Sequence, residues 1–164
     1  MTPPAASASR TQGEQAFDLP GLGLADRPLD FDYSIRSLGE FACAAVDALG
    51  LDRFHLVVHD AGGPVGFQVA VEHPDRIMSL TVLNTLLTLR HAPFPGGVYG
   101  RFSDRFRGVL TSPALFRQLM LRVGIDDASA VTAEEIDVHR RLLLDADQGA
   151  AYLRIMRALR QKDV

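Results

Sequence analysis

The stretch "FHLVVHDAGGPVGF", residues 54–67, carries the strongest structural signal in the chain. Phe54 to Val58 read as a mostly apolar strand ending in His59-Asp60. A glycine pair then opens "GPVGFQVAVEH", a helix stopped by Pro74. A buried strand that turns this sharply into a helix holds one residue at the apex, with its side chain exposed above the sheet edge. Small residues flank such an apex because the two backbones approach closely. Here the apex is Asp60, and Ala61, Gly62 and Gly63 are suitably small, although the position two before the apex is Val58 rather than glycine.

Other readings of the same residues stay open at this point. An aspartate at the end of a strand can simply cap the next helix. A dinucleotide loop also places glycines between strand and helix, but "AGGPVG" lacks the G-x-G-x-x-G spacing, and a carboxylate would repel a pyrophosphate. "GLGLAD" at 21–26 meets the same objection, since Pro28 and more loop follow it. His55 and His59 share a strand face without a third ligand nearby, which argues against a metal. No metal or cofactor is expected.

Outward from this unit the chain alternates. Residues 1–13, "MTPPAASASRTQG", lack periodicity and are expected to be a disordered lead. "EQAFDL" predicts a strand and "PGLGLADRP" a loop. Ile35, Leu38, Phe41, Ala42, Ala45, Val46 and Leu49 form one helical face stopped at Gly50. Cys43 lies beside that stripe and reads as a buried, inert thiol. "RFHLVV" and "IMSLTVLN" predict further strands. This order argues an α/β fold, a parallel sheet with crossover helices, over residues 14–90. After Asn84 no strand is predicted. Residues 91–164 are expected to be helical: Ser112-Pro113 starts a helix carrying Leu115, Phe116, Leu119 and Met120, and Thr132 with Glu135 fits a capping box. Asp147 caps a last helix whose Tyr152, Ile155, Met156 and Leu159 share a face.

Composition excludes several function classes. Acids outnumber Lys plus Arg by 20 to 17 in 164 residues, and no basic stripe suggests nucleic acid; "RFSDRFR" at 101–107 reads as a solvated helix face. No apolar run approaches the roughly 18 residues that span a bilayer. The N-terminus has no apolar signal region, and a single cysteine fits a reducing compartment, so a cytoplasmic address is expected.

"FDLPGLGLADRP" (17–28) with "LVVHDAGGPVGFQVAVEHPDRIMSLTVLNT" (56–85) resembles the α/β-hydrolase family, and more narrowly its haloalkane dehalogenases and epoxide hydrolases. There an aspartate replaces serine at the elbow. The likeness covers roughly residues 16–90 and more loosely the helical part, which is similar to a cap domain. The resemblance implies Asp60 as a covalent nucleophile, the Ala61 N–H as half of an oxyanion hole, and a small apolar halide or epoxide as substrate. A carboxylate is ionised at neutral pH and needs no base to attack. Phe102, Phe106, Phe116 and Leu119 are expected to cover Asp60, or else to pack the cap's own core.

The departures from that pattern are specific. The tryptophan that follows the nucleophile in dehalogenases is Ala61 here, and the chain has no tryptophan. Asn84 stands where some members carry the acid. The strands and "HG" loop that precede "DLPG" in the family are expected to be missing, as are the acid and histidine beyond the cap. Of the five histidines, His55, His59 and His73 belong to the elbow unit, and His91 and His139 to the cap. None takes the base position. The chain alone is therefore expected to be inactive in turnover, with open sheet edges that favour self-association. Two alternatives stand beside this: a non-catalytic remnant that binds a small ligand or partner, and an esterase-like hydrolase with another nucleophile. Ser79 and Ser103, the nearest serines, sit at no glycine-flanked turn.

Overall fold

The computed structural model describes residues 8–11, 13–85, 112–144 and 146–158. In chain order the principal elements are β1 (Ala8–Thr11), β2 (Glu14–Phe17), α1 (Ile35–Ala48), β3 (Phe54–His59), α2 (Gly62–Glu72) and β4 (Ile77–Leu83). The helices α3 (Pro113–Leu119), α4 (Ala133–Leu144) and α5 (Ala150–Ala158) follow. Local chemistry explains most of their ends. Ser34 caps α1 by accepting the Ser37 N–H, and the helix buries the apolar stripe read from sequence, Ile35 through Val46. Gly50 takes a positive φ of 65° just past its end. Pro74 follows α2 and opens a short 3₁₀ turn. Ser112 caps α3 with Pro113 at its first position. Thr132 and Glu135 form the reciprocal capping box of α4, at 3.2 Å and 2.7 Å. Asp147 accepts the Gly149 and Ala151 N–H groups at the start of α5.

The parallel sheet is smaller than the alternation predicted. β3 and β4 pair in parallel with α2 as the crossover, His59 opposite Leu83 and a register shift between Phe54 and His55. β2 does not join them. It pairs antiparallel with β1, Thr11 opposite Glu14, across a turn in which Gly13 has φ 91°. Ala8–Thr11, inside the segment read as a disordered lead, is thus a strand. The physical reason is that a strand with no partner beside it leaves a row of backbone donors and acceptors unpaired, and the nearest chain able to take them is the segment just before it.

The core lies on one face of the β3–β4 sheet. Tyr33, Ile35, Leu38, Ala42, Val46, Val65 and Val69 bury together, with Phe54 and Leu56 of β3 packed against them. Helix α5 completes this cluster through Ala151, Ile155 and Met156, so the end of the helical segment belongs to the main core. Two arginines seat it. Arg27, with 7% of its side chain exposed, donates to the carbonyls of Gly21, Gly23, Leu142 and Leu143 and pairs with Asp147 at 3.5 Å. Arg154 donates to the carbonyls of Leu29 and Phe31 and lies 4.6 Å from the centre of the Tyr33 ring. A second cluster, Phe116, Ile136 and Leu144, holds α3 to α4.

Candidate functional site

Asp60 and Ala61 form the whole connection between β3 and α2. Asp60 is exposed and has φ 46°, the left-handed region that costs an ordinary residue about 1–2 kcal/mol. Asn84, at the matching end of the neighbouring strand, has φ 35°. Both strained residues thus stand at the C-terminal edge of the parallel pair, the edge at which open α/β sheets bind ligands.

Backbone and packing hold the turn. The Asp60 N–H donates to the Leu83 carbonyl at 3.4 Å, and the Asp60 carbonyl accepts from the Gly63 N–H at 3.1 Å and from the Thr85 hydroxyl. Of the glycine pair, only Gly63 is sterically compelled: a Cβ there would lie 1.8 Å from Thr85 Oγ1, whereas one on Gly62 would meet nothing within 4 Å. Val58, which replaces the usual first glycine of the elbow, is accommodated from the other side. A Cβ on Gly66 of α2 would lie 2.3 Å from Val58 Cγ1, so the helix supplies the space that the strand does not.

Asp60 does not cap the helix. The cap position of α2 is Ala61, without a side-chain hydrogen bond, and the Asp60 carboxylate has no hydrogen-bond or ion-pair partner among the described residues. The Ala61 N–H likewise has no acceptor among them. An exposed carboxylate beside a free backbone donor can act as a nucleophile whose charge that donor steadies.

The other sequence candidates have the following surroundings. Phe116 is buried against Ile136 and Leu144, and Leu119 is half-buried on the same helix; Phe102 and Phe106 lie outside the described residues, as do His91 and Ser103. His55 and His59 point from the exposed face of β3, where His55 Nδ1 meets Ser79 Oγ at 2.7 Å. His73 ends α2, near Arg76, and His139 is exposed on α4. None of these four histidines bonds to Asp60. An open groove of about 540 Å³ between α1 and α2 is lined by residues that include Cys43, Glu72 and His73, and does not reach Asp60. Burial, then the charges of Glu72 and Asp47, push the Cys43 thiol up, away from the reactive thiolate. Among the described residues no His, Cys, Asp or Glu cluster is arranged to hold a metal, and no helix is long and apolar enough to cross a membrane.

The family model described as alpha/beta hydrolase fold matches residues 15–127, well over half the chain. The chain belongs to the α/β-hydrolase fold family. Within this family it is similar to the fluoroacetate dehalogenase of a Burkholderia species, 39% identical over 75 residues, which cover 43% of this chain and 25% of that protein. It is also similar to haloalkane dehalogenase 2 of Mycobacterium tuberculosis, 45% identical over 74 residues, 43% of this chain and 24% of that one. Among solved structures, the epoxide hydrolase CorEH superposes with a TM-score of 0.74 at 20% identity, over 90% of this chain and 56% of that one. The aligned stretches thus span about a quarter of the curated relatives and about half of the solved hydrolase.

Sequence reading found the apex and missed its supports. Thr85 carried no signal beyond its place after a strand, and Gly66 looked like any small helical residue. Arg27 sat in a segment read only as turn. What these three residues do depends on which chain lies across from them.

Proposed function

We propose that Asp60 is the covalent nucleophile of a dehalogenase- or epoxide hydrolase-type reaction on a small apolar halide or epoxide. The observation that carries this reading is the exposed, left-handed Asp60 at the C-terminal edge of the parallel strands, with its carboxylate unpaired and the Ala61 N–H free among the described residues. The dehalogenase relatives support the substrate class. In the first half-reaction a carboxylate oxygen of Asp60 attacks carbon, and an ester bond forms. A carbon–halogen bond breaks and the halide leaves with its electron pair, or an epoxide carbon–oxygen bond breaks and the freed oxygen takes a proton from water.

The second half-reaction needs a base to deprotonate the water that cleaves the ester, a contribution typically worth about 10²–10⁴-fold. No histidine among the described residues bonds to Asp60, and in this proposal the reaction stops at the ester. Alkylation is slow, because Ala61 occupies the place of the halide-binding tryptophan. That no base meets Asp60 among the described residues also favours a second reading, a protein that binds a small ligand or a partner without chemistry. Intact-protein mass spectrometry after incubation with a reactive halide or epoxide separates the two. A single stable adduct, absent in Asp60→Ala, is expected. Repeated turnover overturns the one-step account, and no adduct at all favours the binding protein.

A further inference from the structure

We infer that Thr85 is a positioning residue: its hydroxyl grips the Asp60 carbonyl and so fixes the direction of the Ala61 N–H. The inference rests on the nucleophile reading above and names what orients its oxyanion donor. The peptide joining Asp60 to Ala61 is trans and planar, so its N–H points opposite to its C=O. The C=O is held by two donors, the Gly63 N–H at 3.1 Å and the Thr85 hydroxyl. With the carbonyl tied down, the N–H is turned away from Thr85 and the helix start, and it finds no acceptor among the described residues.

The two donors differ in origin. The Gly63 N–H belongs to the helix that the turn itself begins, whereas Thr85 arrives from beyond β4 and so ties the turn to the neighbouring strand. The space around Thr85 is made for it. A Cβ on Gly63 would lie 1.8 Å from Thr85 Oγ1 and 2.7 Å from its Cβ, so glycine at 63 and the threonine side chain occupy one volume between them. A half-buried threonine whose hydroxyl points at the nucleophile's own carbonyl acts on the site without touching substrate. Held in place, that N–H fixes which way the Asp60 carboxylate faces and leaves one oxygen aimed outward to attack, whereas an N–H free to swing orients the nucleophile less well.

Valine keeps the shape of threonine and removes the donor; serine keeps the donor. The experiment measures Asp60 alkylation by epichlorohydrin over a range of concentrations, by intact mass spectrometry, in the full chain and in Thr85→Val and Thr85→Ser. It is joined by the ¹⁵N resonance of the Ala61 amide, which senses hydrogen bonding to its own peptide carbonyl. The maximal alkylation rate of Thr85→Val is expected to fall about five- to tenfold, the worth of one hydrogen bond, with the half-saturating concentration unchanged. Thr85→Ser restores most of the rate, and the Ala61 resonance moves in the valine variant and returns in the serine one. Alkylation of Thr85→Val at the wild-type rate overturns the inference, as does a serine variant no faster than valine. If the wild-type chain forms no adduct, the nucleophile reading fails, and the Ala61 resonance then decides: an unmoved signal in Thr85→Val removes the grip of Thr85 on this peptide.

Discussion

Asp60 keeps a conformation that its own side chain disfavours. At φ 46° the Cβ crowds the backbone, and the surroundings must supply the difference through the Leu83, Gly63 and Thr85 hydrogen bonds. Such strain persists where a function needs the side chain at the apex of a turn. It follows that Asp60→Gly relaxes the turn. Urea unfolding is expected to show a gain of about 1 kcal/mol, smaller than the full strain because glycine also loses more chain entropy, together with complete loss of the alkyl adduct. A loss of stability on this substitution would mean that the turn is not strained at Asp60.

At the scale of elements, α2 approaches β3 closely at Gly66. Gly66 meets Val58, while Gly62 at the helix start faces open space. The two glycines therefore respond oppositely to a methyl group. Gly66→Ala forces helix and strand apart and is expected to cost about 1–3 kcal/mol, the range for overpacked cores. Gly62→Ala meets no atom and is expected to gain up to about 1 kcal/mol from helix propensity. Denaturant melts of the two variants check the pair, and equal effects would show that the approach of α2 to β3 is not limited at Gly66.

For the whole molecule, two features dominate. The helical segment is seated by Arg27, whose guanidinium satisfies carbonyls from the 21–23 loop and the end of α4 at once. Arg27→Met preserves the aliphatic stem but takes the guanidinium from those carbonyls and the charge partner from Asp147. A destabilisation of about 2–4 kcal/mol is expected in chemical denaturation, and a change below about 0.5 kcal/mol would show that Arg27 does not seat the helical segment. The second feature is the sheet itself. Each of β3 and β4 has one neighbour among the described residues, and Val57, Met78, Val82 and Leu83 are exposed on or beside it. Unpaired edges with apolar side chains favour association. Sedimentation velocity is expected to show mass rising with protein concentration, and a single monomeric species at every concentration would count against open edges.

Much of this protein was legible from short spacings. The α1 stripe from Ile35 to Val46, the Ser112, Thr132 and Asp147 caps, and the turn at Asp60 each depend on residues a few positions apart, whose contacts are set by helix and turn geometry before any tertiary neighbour arrives. The partner of β2 was not legible, because strand pairing is chosen by which backbone lies alongside, and Ala8–Thr11 gave no sign in composition of being that backbone. Nor was the fate of Phe116, whose stripe fits either a lid or its own helical cluster and which packs against Ile136 and Leu144. Thr85 and Arg27 acquire their roles only across 25 and 120 positions of chain, and Gly66 through a facing strand, where a hydroxyl, a guanidinium or a missing Cβ matters solely for what the folded chain sets opposite it. Local sequence thus determined the elements and the apex residue, while tertiary structure decided which elements meet and what holds the apex in place.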